Sequence, residues 1–293
     1  MPWALSVEPA GFCNLKCPEC PLGAGVLLRR GGFMSMEAYR NILKESQPLL
    51  IWLNLYFQGE PFMNRHLSDM IGEAKRYSIF TSISTNGHFL DEKRCIDVIN
   101  ANLDEIIISL DGITDDSYSK YRKGGNLETV KNGVERLIKK RKELNSKTPF
   151  ITVQFIVFKH NEHEIEELTK WCKKVKTDRL ILKSAQINDF GNGSVAPAAS
   201  SKYSRYTQNK DGVLVMKGAP RNYCLRQWSS AVISWDGQMA PCCYDKDLKF
   251  SPGNINTFSL KQLWTDESMQ KFRQQILIRR KDIDICQNCP EGR

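Results

Sequence analysis

Cys13, Cys17 and Cys20 crowd three thiols into one short run, Gly11-Phe12-Cys13-Asn14-Leu15-Lys16-Cys17-Pro18-Glu19-Cys20-Pro21, with a C-x3-C-x2-C spacing. Three thiolates on one tight loop can bind three corners of an iron–sulfur cube. The fourth iron then has no protein ligand, and an open coordination position is what makes a metal centre reactive. A structural zinc site is the competing reading. Such sites take four ligands, and no fourth ligand lies close in sequence.

The cysteine count supports metal ligation. Of ten cysteines, seven fall into two groups, at 13/17/20 and at 224/242/286/289. In the cytosol, where the chain is expected, thiols stay reduced and such groups read as metal ligands. Cys95 and Cys172 sit in helix-like stretches and read as core-filling thiols. The N-terminal Met1-Pro2-Trp3-Ala4-Leu5 lacks the basic start and apolar run of a signal peptide, and no segment reads as a membrane span. The net charge of +9 permits an anionic substrate. The basic run Lys139-Lys140-Arg141-Lys142 reads as a solvated helix face. Aromatics do not interleave with arginines in a stripe, so nucleic acid is not an expected partner.

Strand-like and helix-like segments alternate through the first 185 residues. Runs rich in Ile, Val, Leu and Phe at 3–7, 51–57, 80–84, 105–110, 151–158 and 179–182 suit parallel strands buried on both faces. Helical periodicity falls between them, at 36–46, 67–77, 91–100, 127–145 and 162–175. Ser35 and Asn161 read as helix starts. Six β–α units in series predict an α/β fold, a partial (β/α)6 TIM barrel. Loops after strands line the active-site face of such a barrel. That face would gather the cysteine loop, Gly59-Glu60-Pro61, Ser84-Thr85-Asn86-Gly87 and Ser109-Leu110-Asp111-Gly112. Residues 186–222, including 188–194, lack periodicity and read as a connecting loop. A β-hairpin is expected around Asp236-Gly237, followed by short helices at 260–264 and 267–276.

The triad after strand one, Gly59-Glu60-Pro61 after strand two and Ser109-Leu110-Asp111-Gly112 after strand four together resemble the radical S-adenosylmethionine (radical SAM) superfamily, across residues 1–185. The resemblance implies that Cys13, Cys17 and Cys20 bind a [4Fe-4S] cluster whose open iron chelates SAM. One electron then cleaves SAM, and the 5′-deoxyadenosyl radical abstracts hydrogen from a substrate. It implies that Glu60 accepts from the SAM amino group, with Gly59 allowing close backbone approach. Ser84, Thr85 and Asn86 would lie near its methionine or ribose part, and Ser109 and Asp111 at the ribose. Gln154 is a further contact candidate. Many members carry an aromatic residue before the third cysteine, where this chain has Glu19.

The tail carries a second pattern. Cys224-x12-Gly237-x4-Cys242, followed by Cys286-x2-Cys289, resembles the shortened SPASM extension called twitch, and implies an auxiliary [4Fe-4S] cluster on those four cysteines. Cys243 adjoins Cys242, and neighbours on a strand point to opposite faces, so only one is expected to ligate. Cys242 fits the spacing. Cys243 reads as a buried thiol or a hydrogen-atom donor. Lys183, ending strand six, could bind an anionic group or simply face solvent. His66, His88, His160 and His163 read as surface or capping residues.

The expected organisation is a barrel over 1–185, a connecting region over 186–223, and a small C-terminal α+β iron–sulfur domain over 224–293. The expected chemistry is radical SAM oxidation or epimerisation of a small polar substrate, sugar or cyclitol-like. The alternative is peptide or protein side-chain modification with a separate recognition partner. Either needs an external one-electron donor such as flavodoxin or ferredoxin.

Overall fold

The computed structural model describes residues 1–188, 190 and 195–293. The loop expected at 189 and 191–194 lies outside the described residues. Six strands run in parallel and in chain order: β1 (Ala4–Val7), β2 (Trp52–Asn54), β3 (Phe80–Thr85), β4 (Glu105–Ser109), β5 (Phe150–Val157) and β6 (Arg179–Ser184). Between them lie α1 (Met36–Ser46), α2 (Leu67–Lys75), α3 (Glu92–Asn100), α4 (Asp115–Tyr121), α5 (Leu127–Glu143) and α6 (Ile165–Val175).

Helix starts follow local capping chemistry. Ser35, Asp91, Thr114 and Asn126 each accept a backbone N–H of the following turn. Asn161 does not cap. Its side chain accepts from Phe158 N–H (2.7 Å) and donates to the Asp111 carbonyl (3.0 Å), tying the end of β5 to that of β4.

The strands are less uniformly apolar in their environment than their composition suggests. Leu5, Leu53, Ile83, Ile106, Ile108, Val153 and Phe155 are buried in the main core. Alternate positions carry Ser6, Asn54, Ser82, Ser84, Thr152 and Gln154, giving the sheet a second, polar face. On it Glu105 accepts from Arg179, Thr152 and Ser82, joining four strands.

The C-terminal unit is continuous with this sheet. The hairpin of β9 (Ser230–Ile233) and β10 (Gln238–Ala240) forms around Asp236-Gly237, and β9 pairs in parallel with β1, Ala4 opposite Ser230. With β11 (Gly253–Asn254) the sheet has nine strands, ordered β11-β10-β9-β1-β2-β3-β4-β5-β6. The region read as a plain loop holds a small antiparallel pair, β7 (Tyr206–Gln208) and β8 (Leu214–Met216). The tail adds α7 (Arg226–Ser229), α8 (Leu260–Thr265), α9 (Glu267–Arg279) and α10 (Asp284–Gln287). Among the described residues, no helix is long and apolar enough to cross a membrane.

Glu8, just past β1 and fully buried, ties these parts together. Arg29 donates to both its oxygens (2.6 and 2.7 Å), and the N–H groups of Gln58 and Trp235 donate to it at 3.2 Å. Replacing Glu8 by Gln strands the buried Arg29 charge and should lower the unfolding free energy by about 3 kcal/mol. Urea denaturation measures this, and Glu8→Gln/Arg29→Gln should lose less than the sum of the single changes.

Candidate active site

One cavity of about 400 Å³ opens at the C-terminal ends of the strands. Cys13, Cys17 and Cys20 line it together with Gly59, Glu60, Ser84, Thr85, Asn86, Ser109, Gln154 and Lys183. Residues expected from six separate chain segments thus line one cavity. Asp111 is the exception. It is fully buried and does not line the cavity. Its carboxylate accepts from Arg122 (Nε, 2.6 Å) and from Ile156 N–H (2.6 Å). Asp111 therefore acts through Arg122, whose Nη1 points at the Cys17 sulfur (3.8 Å) and whose guanidinium lies over the Tyr121 ring.

The sulfurs are embedded. Leu15, Tyr121, Phe158 and Ala185 pack around the triad as an apolar collar. Burial pushes the Cys13 thiol up to about 11, against the Leu15 N–H directed at its sulfur. It raises Cys17 as well, against the pull of Arg122. Cationic metal would reverse that, since coordination deprotonates a thiol outright. Donors stand ready for anionic sulfur: Arg122 at Cys17, and Asn86 Nδ2 at Cys13 (3.7 Å). Among the described residues, no three His, Cys, Asp or Glu side chains converge tightly enough to share a single metal ion. A cube makes a different demand, binding each thiolate at its own corner iron.

Glu60 is set by its neighbours. The Thr85 hydroxyl donates to Oε1 (2.7 Å) and Asn86 N–H to Oε2 (2.8 Å), while Phe62 N–H also donates to Oε1 (3.2 Å), so that Glu60 caps the short turn Pro61–Met63. Burial nevertheless pushes its carboxyl up to about 7. Gly59 is required by the loop beside it. A Cβ there would stand 1.9 Å from the Ala10 carbonyl oxygen, and Glu60 N–H donates to the Phe12 carbonyl at 2.7 Å. The close approach thus includes the chain just before Cys13. Asn86 is held by His88, whose N–H and Nδ1 both face its Oδ1. Nε2 of His88 accepts Asn126 N–H (2.8 Å), which assigns the ring proton to Nδ1. Burial lowers the pKa of His88, in keeping with a neutral ring.

Glu19 departs from the aromatic pattern for a visible reason. Its side chain accepts Asn188 N–H (2.5 Å) and its carbonyl accepts Asn188 Nδ2 (3.1 Å), fastening the connecting segment to the cysteine loop. Lys183 lies at the cavity rim, partly open to solvent, and burial lowers its pKa. It and Lys246 line the cavity without an ion pair among the described residues. Neither Arg122 nor Lys246 carries a spacing signal in the sequence.

The tail cysteines form a second centre. Cys224 and Cys286 are buried against Phe272, Ile276 and Ile283. Arg280, 1% exposed, directs Nη2 at the Cys289 sulfur (3.7 Å), and Tyr244 N–H is directed at that of Cys242 (3.4 Å). Burial works against the Arg280 charge, yet Cys286, Cys224 and Cys289 outweigh it and raise its pKa. The guanidinium has no carboxylate partner among the described residues, and its Nε has no hydrogen bond. A buried cation of this kind fits four thiolates carrying the negative charge of a cluster. Cys242 and Cys243 lie past the end of β10, in a turn, so strand alternation does not separate them. Cys243 acts electrostatically on Cys289 and also on the cavity residues Tyr56 and Lys183.

Residues 7–172 match the family model of the radical SAM superfamily, and residues 224–290 match SPASM, an iron–sulfur cluster-binding domain. A tungsten-containing aldehyde ferredoxin oxidoreductase cofactor-modifying protein of Pyrococcus furiosus is 24% identical over 299 residues, covering 92% of this chain and 82% of that one. A probable GTP 3′,8-cyclase of Methanococcus maripaludis is 30% identical over 266 residues, 83% of this chain and 85% of its own length. Among solved structures, Streptococcus suis SuiB bound to precursor peptide SuiA has a TM-score of 0.73 at 14% identity, covering all of this chain and 72% of SuiB. BtrN in complex with AdoMet and 2-DOIA has a TM-score of 0.60 at 18% identity, covering 99% and 94%.

The Glu60 environment sets a pH dependence. Its folded-state pKa, about 7, lies above the ordinary 4.5, so the folded chain holds the proton more tightly. The resulting stability is fully present below pH ~4.5 and is lost as pH rises through ~7. Glu60→Gln in the metal-free protein should remove up to about 3 kcal/mol of that decline, read from denaturation at both ends of the window.

Proposed function

This chain belongs to the radical SAM superfamily, and on that premise we propose that Cys13, Cys17 and Cys20 hold a [4Fe-4S] cluster that cleaves S-adenosylmethionine to act on a peptide or protein side chain. The observation that carries this reading is the single cavity joining the three sulfurs to Glu60, Ser84, Thr85, Asn86, Ser109 and Gln154. The cluster and SAM supply an adenosyl radical that abstracts hydrogen. The chain's own groups position them. Arg122 and Asn86 offer donors to the thiolates, Glu60 and Gln154 present polar atoms, and the Tyr121–Phe158 collar limits water. Glu60 keeps lone pairs free beyond its three protein donors.

Cys224, Cys242, Cys286 and Cys289 are assigned to a second [4Fe-4S] cluster, with Arg280 balancing its charge. Residues 1–185 form the catalytic barrel, 186–223 the connection and 224–293 the second-cluster unit. A fully ligated cluster suits passing an electron when a substrate radical is oxidised.

The likeness to SuiB, solved with its precursor peptide, supports a peptide substrate, and the likeness to BtrN, solved with 2-DOIA, is weaker by TM-score, 0.60 against 0.73. A second reading is a small anionic substrate. Lys183 and Lys246, which line the cavity without an ion pair among the described residues, and the likeness to a probable GTP cyclase favour it. Comparing 5′-deoxyadenosine release with peptide pools and with GTP separates the two, because only the true substrate both raises the rate and yields a modified product.

Anaerobic reconstitution should load about eight iron per chain, four for each cube. Cys13→Ala/Cys17→Ala/Cys20→Ala should retain about four and make no 5′-deoxyadenosine. Cys286→Ala/Cys289→Ala should also retain about four but still cleave SAM. A wild-type protein that never releases 5′-deoxyadenosine with reductant and SAM would sink the proposal.

A further inference from the structure

The segment that carries the triad also carries an exposed surface that the cavity chemistry does not use. Leu28 is 87% exposed, the highest value among the chain's exposed large hydrophobic side chains. Phe12 and Phe33 are 41% and 49% exposed and pack against each other with ring centroids 5.3 Å apart. Exposed apolar side chains grouped on one segment and rimmed by polar residues mark an interaction site. Three exposed cations lie along the same stretches of chain: Lys16 four residues after Phe12, Arg30 between Leu28 and Phe33, and Lys123 against Lys16. None of the three forms an ion pair among the described residues.

This surface is built rather than loose. Lys16 N–H donates to the Lys123 carbonyl (2.9 Å), which brings those two residues together. Trp235 Nε1 donates to the Arg30 carbonyl (3.0 Å), and Leu28 N–H donates to Asp247 (2.8 Å). Phe12 precedes Cys13, and Lys16 precedes Cys17. Phe12 and Lys16 therefore sit on the same short loop as the three thiols that line the cavity, Phe33 packs on Phe12, and Lys123 is tied to Lys16.

Resting on the radical SAM reading above, we propose that Phe12, Leu28 and Phe33, flanked by Lys16, Arg30 and Lys123, are the docking surface for an acidic one-electron carrier protein. Charge complementarity selects this occupant. Three exposed cations against the one carboxylate of Asp247 leave the surface net positive, which attracts an acidic partner at long range, and transient electron-transfer encounters use small interfaces of this kind. Position selects it too, since a carrier seated here meets the chain beside the triad. One electron leaves the reduced carrier and enters the triad's cluster. The carrier ends one electron more oxidised, and no atom changes hands.

The test uses the reconstituted holoenzyme with a strongly acidic flavodoxin as probe. Arg30→Glu/Lys123→Glu and, separately, Leu28→Asp are compared with wild type. Flavodoxin affinity for the oxidised holoenzyme is measured by calorimetry at low and high salt. Release of 5′-deoxyadenosine is measured with reduced flavodoxin and, in parallel, with dithionite, which needs no docking surface. Each variant should weaken flavodoxin binding by about tenfold or more and slow the flavodoxin-driven reaction in step, while the dithionite-driven rate stays within about twofold. Added salt should weaken wild-type binding and affect the double variant less. Unchanged binding and flavodoxin-driven rates in both variants would overturn the proposal. So would a Leu28→Asp change that splits a dimer without altering flavodoxin binding, because the patch would then serve a second copy of the chain. Wild-type protein inactive even with dithionite counts against SAM cleavage itself, while calorimetry still reports on docking.

Discussion

A buried carboxylate beside the first strand organises both halves of this molecule. Glu8 has no access to water, so its charge is tolerable only while Arg29 and two backbone N–H groups satisfy it. Those partners come from three distant places. Arg29 ends the loop that begins with the cysteine triad, Gln58 belongs to the turn before Gly59, and Trp235 follows β9. Arg29 also donates to the Lys246 carbonyl (2.9 Å), on the loop after the tail's Cys242. The triad loop, the glycine turn and the tail's hairpin are thus set against each other through one ionised group.

The sequence exposes those features whose chemistry is local. The C-x3-C-x2-C run, the Asp236-Gly237 turn and the Ser35 cap each depend on neighbours within a few residues, and the structure forms the turn and the cap where expected. The strand ends that meet at the cavity could be read because a β/α barrel places successive loops on one face. What could not be read is pairing across long separations. Asp111 looked like a ligand contact but is consumed by Arg122 and Ile156 N–H. Arg280 sits in an unremarkable helical run, yet it is buried against the Cys289 sulfur. The β7–β8 pair was invisible because its strands are only three residues long and largely solvent-facing.

Both candidate centres solve the same electrostatic problem in different ways. The triad is met by an arginine already neutralised by Asp111, so the added positive field at Cys17 is modest. The tail's sulfurs meet Arg280, which no carboxylate neutralises among the described residues. A cluster held beside an uncompensated cation is stabilised in its more negative, reduced form, because hydrogen bonds and local charge tune iron–sulfur potentials. On local charge alone, the field at the tail sulfurs is therefore the more positive of the two.

The pairing of β1 with β9 has a consequence for how the chain comes to be. Ala4 lies opposite Ser230, so the strand made first is flanked on one side by a strand made more than two hundred residues later. Until that stretch leaves the ribosome, β1 presents a bare row of amide and carbonyl groups, and Glu8 lacks the Trp235 amide that helps to satisfy it. The barrel half cannot be sealed before the tail arrives. Before then the triad loop is held through Glu8 by Arg29 and Gln58 alone, and the contacts from Trp235 and the Lys246 carbonyl that fix it against the tail come last.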